Sequence, residues 1–168
     1  ADDAEALTAG LAGAQLVYLS GITAAIVGPQ GRSALLTALE RAKGQGARIA
    51  HDPNHRPRLW ESQAAAQEFA RQIAALADIL LPTFEDEATA FGDADPAATA
   101  ARLTGWGCGE VVVKNGAQET LLALDGQTSR HLPPQGLHPV DTTGAGDGFN
   151  GGYLATRLAG HDSASAVR

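Results

Sequence analysis

Cysteine occurs once in the 168 residues, at Cys108, and methionine not at all. A single thiol excludes an internal disulfide and fits a reducing, cytoplasmic setting. The lack of methionine is compatible with an excised piece of a longer chain. Aromatic residues make up only 5%, which suits tightly packed helices on a sheet better than a β-sandwich core. Basic residues are outnumbered, 12 Lys and Arg against 19 Asp and Glu, for a net charge of −7 with the signs interspersed. Nucleic-acid binding needs clustered Lys and Arg, so nucleic acid is not an expected partner. Long hydrophobic runs are missing too. None approaches the ~20 residues that span a bilayer, and the opening "ADDAEALTAG" lacks the basic-then-apolar layout of a signal peptide. No membrane partner is expected.

What the chain does have is alternation. "QLVYLSGI" (Gln15–Ile22), "ARIAHDP" (Ala47–Pro53), "ADILLPT" (Ala77–Thr83) and "EVVVKNG" (Glu110–Gly116) are apolar at consecutive positions. That is the mark of strands covered on both faces. Between them lie helical patterns at Arg32–Lys43, Ser62–Leu76, Asp86–Phe91 and Pro96–Trp106. Strand–helix–strand repetition predicts a parallel α/β sheet. "ETLLALDGQTSRHLP" then reads as two strands turning at Asp125-Gly126, a hairpin signal. A last long helix runs to Leu158. "HDSASAVR" starts like another, capped by Asp162 or Ser163, and stops without a C-cap. One domain over residues 1–168 is expected, incomplete at its ends.

The glycines concentrate where the chain can least accommodate them. "VDTTGAGDGFNGGYLATRLAG" carries five glycines in the nine positions from Gly144 to Gly152, each costing about 1 kcal/mol inside a helix. Gly144-Ala145-Gly146 falls at a helix start, where free amides and the macrodipole form an anion site. Asp147 follows in the first turn. A carboxylate is a poor phosphate ligand but a good proton acceptor for a hydroxyl attacking that phosphate. The bland alternative is a glycine turn with an acid favouring the dipole. Gly151 and Gly152 would let the helix lie close to the sheet or a ligand. Gly146 to Gly151 also spells GxGxxG, but a dinucleotide site wants an early βαβ unit and an acid about 20 residues on; the only acid downstream is Asp162. In open α/β sheets ligands bind beyond the carboxyl ends of the strands. The polar residues after each apolar run therefore belong together: Asp52, Asn54, Arg56; Thr83, Asp86, Glu87; Lys114, Asn115; and Asp141 to Asp147.

"DTTGAGDGFNGG" resembles the second signature of the ribokinase-like, or PfkB, carbohydrate kinases. "LSGI", "DPNHRPRLW", "LPTFEDE" and "VVVKNGAQETLL" follow that family's order over nearly the whole chain, and DPNxRxxLW followed by LPTFEDE is most similar to the branch that phosphorylates 2-keto-3-deoxygluconate. The resemblance implies a three-layer α/β/α fold with a mostly parallel sheet plus a β-hairpin, the N-terminal part and lid missing. It implies Asp147 as catalytic base and Gly144, Ala145 and Gly146 as anion hole. It implies ATP along Lys114, Asn115, Gly116, Ala117, Gln118 and Glu119, bordered by Asn54 and by Gly144 and Gly146. Arg56, Asp141 and Asp147 would meet the substrate; for Arg56 the alternative is a surface ion pair. Many relatives hold magnesium with an asparagine and a glutamate three apart. Here Thr83 and Asp86 take those positions, with Glu87 adjacent, so a metal role falls to Asp86 and Glu87 through water, or these acids simply charge a helix start.

The expected activity is ATP-dependent phosphorylation of a sugar acid, 2-keto-3-deoxygluconate, at its terminal hydroxyl. ATP, Mg2+ and a monovalent cation such as K+ would be cofactors, and the intact parent a homo-oligomer. The alternatives are another acceptor (fructose, ribose or a nucleoside) or a non-catalytic nucleotide-binding fragment. The five histidines, at 51, 55, 131, 138 and 161, show no metal-ligand spacing; His51 and His55 flank the DPN loop and could touch substrate, with a surface position as the default. Cys108 is expected to be buried or spare, and Trp60 and Trp106 to pack in the core.

Overall fold

The apolar runs pair side by side in the order in which they occur. The structure, a computed structural model, describes residues 2–133 and 140–167. Strands β1 (Leu16–Ser20), β2 (Arg48–Asp52), β3 (Ile79–Leu80) and β4 (Glu110–Val113) are parallel neighbours. β5 (Thr120–Leu124) and β6 (Gln127–His131) continue the sheet antiparallel, giving the order β1-β2-β3-β4-β5-β6. The hairpin turns at Asp125 and Gly126, both at positive φ, 52° and 76°, as a two-residue type I′ turn requires.

Period two divides the sheet between two cores. Ile49, Leu80, Val111 and Val113 face Leu35 and Leu39 of α3 (Gly28–Gly44), Phe69 and Ile73 of α4 (Gln63–Leu76) and Leu103 of α6 (Pro96–Gly105). Ala50, Ile79, Leu81 and Val112 face Tyr153 and Leu154 of α7 (Ala145–Leu158). Each fully buried aliphatic chain contributes roughly 1.5–3 kcal/mol. Helices on both faces make the three-layer α/β/α arrangement read from the sequence. α1 (Asp2–Gly10) packs on α3; α2 (Gly21–Ile26) follows β1 directly, α5 (Phe84–Phe91) follows β3, and α8 (Ser163–Ala166) closes the described chain. Ser62 and Asp95 cap α4 and α6 by accepting from Ala65 N and Ala98 N, each cap worth ~1 kcal/mol. Among the described residues no helix is long and apolar enough to cross a membrane.

Besides α2, which takes Gly21 and Ile22 out of the first apolar run, two elements differ from the sequence reading. The run Ala77–Thr83 forms a regular ladder only at Ile79–Leu80. The Asp78 carboxylate takes the amide of Ile49 at 2.8 Å, and Pro82 has no amide to give. Backbone bonds still carry the alignment onward, Leu81 N to His51 O at 2.9 Å and Lys114 N to Pro82 O at 2.8 Å. The second difference is α1, which the opening residues do not announce. Gly151 and Gly152 do not serve close packing on the sheet either: a Cβ built on either meets nothing within 4 Å, whereas one on Gly21 would lie 1.9 Å from Pro53 O.

Gly151→Ala should therefore stabilise the chain by about 1 kcal/mol through helix propensity, while Gly21→Ala should destabilise it by roughly 1–3 kcal/mol. Urea unfolding of both variants checks the pair; a destabilising Gly151→Ala would contradict the open space seen over that face.

Candidate active site

Register brings the carboxyl ends of the parallel strands to one edge. Ser20 pairs with Asp52, and Thr83 bridges to Lys114. Of the side chains at this edge, Lys114 turns inward. Its Nζ donates to Asp52 Oδ2 at 2.8 Å and to Asn150 Oδ1 at 3.0 Å. Asn150 Nδ2 in turn donates to Asp52 Oδ2 at 2.6 Å and to the Tyr18 hydroxyl at 3.0 Å. Lys114, Asp52 and Asn150 are 8%, 3% and 1% exposed, so the ion pair is buried and closed by a neutral amide. Burial pushes the Tyr18 hydroxyl above its ordinary pKa, opposed by the Asn150 bond and reinforced by the charges of Asp52 and Asp147.

Helix α7 begins directly above this network. Gly144 caps it in the left-handed region, φ 74°, a conformation natural to glycine. Ala145 N donates to Thr142 O at 3.0 Å and Gly148 N to Gly144 O at 2.8 Å. Among the described residues the amides of Gly146 and Asp147 have no hydrogen-bond partner. A Cβ on Gly146 would sit 3.7 Å from Lys114 Nζ, so the lysine head lies close to the first turn of α7, which carries these two amides. A cleft of about 270 Å³ opens there, lined by Thr83, Lys114, Gly116, Thr120, Gly146 and Phe149, near the lower end of the ≈300–1,000 Å³ typical of ligand sites. A larger groove, about 850 Å³ along α1, α2 and α3, has no ionisable lining residue. The 270 Å³ cleft pairs a lysine with a glycine-rich helix start, a lining that suits an anion.

The other candidates fall around it. Asp147 is exposed in the first turn of α7. Asp141 is exposed and accepts from Thr143 N at 2.8 Å; that amide and the Thr143 hydroxyl hold its carboxyl below the usual range. Residues 115–119 form the open turn from β4 to β5, with Gln118 N bonded to Asn115 O at 2.9 Å, Gly116 at φ 58°, Ala117 exposed and Glu119 paired with Arg130. Asn54 adopts φ 38°, donates its amide to Asp52 Oδ1 at 2.9 Å and its side chain to Ser20 Oγ at 3.3 Å, tying the DPN loop to β1. Arg56 is exposed and makes an ion pair with Asp86 at 3.2 Å. Burial raises the Asp86 carboxyl, with Arg56 pulling the other way. Glu87, next to it, goes elsewhere: it is 1% exposed and bonded to Arg102 at 2.7 Å, so its carboxylate is committed to the α5–α6 contact. Among the described residues no three or more Asp, Glu, His or Cys cluster as a metal cage.

Asn150 and Tyr18 escaped the sequence reading. The available signal was Asn150 sharing the inward face of α7 with Tyr153 and Leu154, at i, i+3 and i+4. His51 is not at the surface: it is 2% exposed, hydrogen-bonded through Nδ1 to Leu19 O at 2.9 Å. His138 lies outside the described residues. Cys108 is buried, its thiol pushed up to about 11 by burial. Trp60 and Trp106 pack against the core beneath Arg32 and Arg102.

An α/β sheet with a glycine-rich helix start over the carboxyl edge of its parallel strands is the arrangement of the phosphate-binding α/β folds. The profile of the pfkB family of carbohydrate kinases matches residues 2–168. The chain is 36% identical over 169 residues to the 2-dehydro-3-deoxygluconokinase of Dickeya dadantii, covering 99% of this chain and 54% of that one. The crystal structure of a PfkB protein from Polaromonas sp. JS666 superposes with a TM-score of 0.83 at 28% identity, covering 95% of this chain and 52% of that one. Aminoimidazole riboside kinase from Salmonella enterica, solved with aminoimidazole riboside and an ATP analogue, gives 0.76 at 28% identity over 84% and 46%. This chain belongs to the pfkB carbohydrate kinase family and has its ribokinase-like fold. It spans about half the length of the curated relatives it matches.

His51 supplies a test of the buried edge. Burial lowers its pKa from 6.5 to about 4, so as pH falls the unfolded chain takes up the proton first. The neutral ring's contribution is full above pH 6.5 and is lost between 6.5 and 4, by about 3 kcal/mol. His51→Gln should flatten the stability–pH curve across that window in urea unfolding; a slope equal to the wild type's would place the ring in solvent.

Proposed function

We propose that this chain handles the nucleotide and the transferring phosphoryl group in an ATP-dependent sugar kinase, with 2-keto-3-deoxygluconate as acceptor. One observation carries the reading: Gly146, whose amide is unpaired, lines a cleft together with Lys114, one residue before the exposed Asp147 carboxylate. Charge builds on the equatorial oxygens of a phosphoryl group in transit, and preorganised N–H donors stabilise it there without reorganising. The Asp147 side chain, one residue along the same turn, accepts the proton of the attacking sugar hydroxyl. The turn at 115–119 and Asn54 border the nucleotide. Arg56 and Asp141 meet the acceptor.

Magnesium fits only in part. It keeps water and is commonly held by substrate phosphates with one or two carboxylates. We assign that role to Asp86, through water, at its ion pair with Arg56; the burial of Glu87 against Arg102 makes it the weaker candidate. When bound, the ion would neutralise phosphate charge. The acceptor is argued from the DPNxRxxLW and LPTFEDE segments and from a relative named for 2-dehydro-3-deoxygluconate. Fructose, ribose or a nucleoside are the competing acceptors. A second reading, nucleotide binding without transfer by these 168 residues, is favoured by the exposure of Asp147, because phosphoryl transfer depends on positioning and water exclusion.

Asp147→Asn, in the full-length gene product, should lower kcat by about 10²- to 10⁴-fold and leave ATP affinity within about threefold. A coupled ADP-release assay over a panel of sugars and sugar acids, beside ATP titration calorimetry, reads both. Turnover retained in the variant removes Asp147 as base, and a panel led by a neutral sugar removes the ketodeoxygluconate assignment.

A further inference from the structure

We propose that Asn150, together with Asp52, is a positioning residue: it holds the Lys114 ammonium beneath the start of α7 so that one N–H is directed at the oxyanion bound there. The inference rests on the anion-pocket part of the reading above. A lysine head has three donors. Two are used, to Asp52 Oδ2 at 2.8 Å and Asn150 Oδ1 at 3.0 Å. Among the described residues the third has no partner, and Nζ lies 3.7 Å from where a Cβ of Gly146 would stand, close to the turn whose amides at Gly146 and Asp147 are unpaired.

The geometry explains why an asparagine suits this position. Asn150 accepts from Lys114 with one end and donates to Asp52 and Tyr18 with the other. A leucine would leave Lys114 and Asp52 each short of a partner in a buried site. An aspartate would set a second carboxylate against Asp52. The neutral amide satisfies both ions and adds no charge to compete for the lysine. Asp52 pairs with the lysine head at 2.8 Å. Asn150 sits three residues after Asp147 on the same helix, so the side chain that orients the lysine also fixes the turn that bears the proposed base.

The test is titration of the 168-residue chain with inorganic pyrophosphate, followed by the amide NMR shifts of Gly146 and Asp147. Wild type should show saturable shifts at both amides. Lys114→Met and Asn150→Ala should each weaken binding by roughly tenfold, a change typical of one hydrogen bond to a charged group. The double variant should bind no more weakly than Lys114→Met alone, because Asn150 acts through the lysine. A merely structural asparagine would instead give losses that multiply. If Asn150→Ala does not fold, Asn150→Ser retains an oxygen for Lys114 and should keep an affinity between wild type and Lys114→Met. The proposal is overturned if pyrophosphate leaves both amides unmoved, if Lys114→Met binds as wild type does, or if the two losses multiply. Failure of the kinase reading looks different: pyrophosphate binds as expected, yet the full-length protein transfers nothing from ATP to any sugar.

Discussion

Three buried polar side chains from three separate elements have to satisfy one another: Asp52 at the end of β2, Lys114 after β4 and Asn150 in α7. Charges at 3% and 8% exposure are tolerated only when paired and hydrogen-bonded. Any shift of α7 along or around its axis would withdraw Asn150 and leave the ion pair one partner short. The network is therefore a positional lock as much as a source of stability. Breaking one member of such a buried pair commonly costs 3–5 kcal/mol, which makes alternative seats for the helix unfavourable.

A second clamp works at the far end of α7. Glu110, the first residue of β4, accepts from the Tyr153 hydroxyl and from Arg157 through Nε at 3.0 Å and Nη2 at 2.9 Å. Burial and the Glu110 charge hold the Tyr153 phenol well above its ordinary range. Polar anchors thus bracket the apolar contact of Tyr153 and Leu154 with the sheet. With α7 held along its length, its first turn can stay open. Gly144, Gly146 and Asp147 are exposed on a helix anchored further along, and in the proposed reading a fixed, open turn is what preorganised anion binding needs. In the proposed reading the stability of one helix and the readiness of one pocket have the same cause.

Much of this was legible beforehand because it rests on short-range rules. Consecutive apolar residues marked β2 and β4, Asp125-Gly126 marked the hairpin, and Asp162 marked a helix start that the structure caps as expected. The glycine cluster pointed to a helix beginning with unpaired amides. The harder cases are those in which a distant partner decides. β3 shortens because the Asp78 side chain replaces a ladder contact on β2. His51 is interior because α4 brings Phe69 against its ring. Adjacent acids Asp86 and Glu87 look equivalent in sequence, yet Arg102, fifteen positions beyond Glu87, draws that carboxylate away from the strand edge.

The order of residues alone determined the alternation of elements, the parallel sheet ending in a hairpin, and the chemistry available at Gly144 to Asp147, since periodicity, turn preference and capping act over a few positions. Tertiary structure decided which polar groups meet. Tyr18 and Asn150 are 132 positions apart, and Asp52 and Lys114 are 62 apart. No local rule relates them. Only the strand register and the seating of α7 bring a lysine beside Gly146 at the start of that helix, because burial leaves these charged and polar groups no water to turn to.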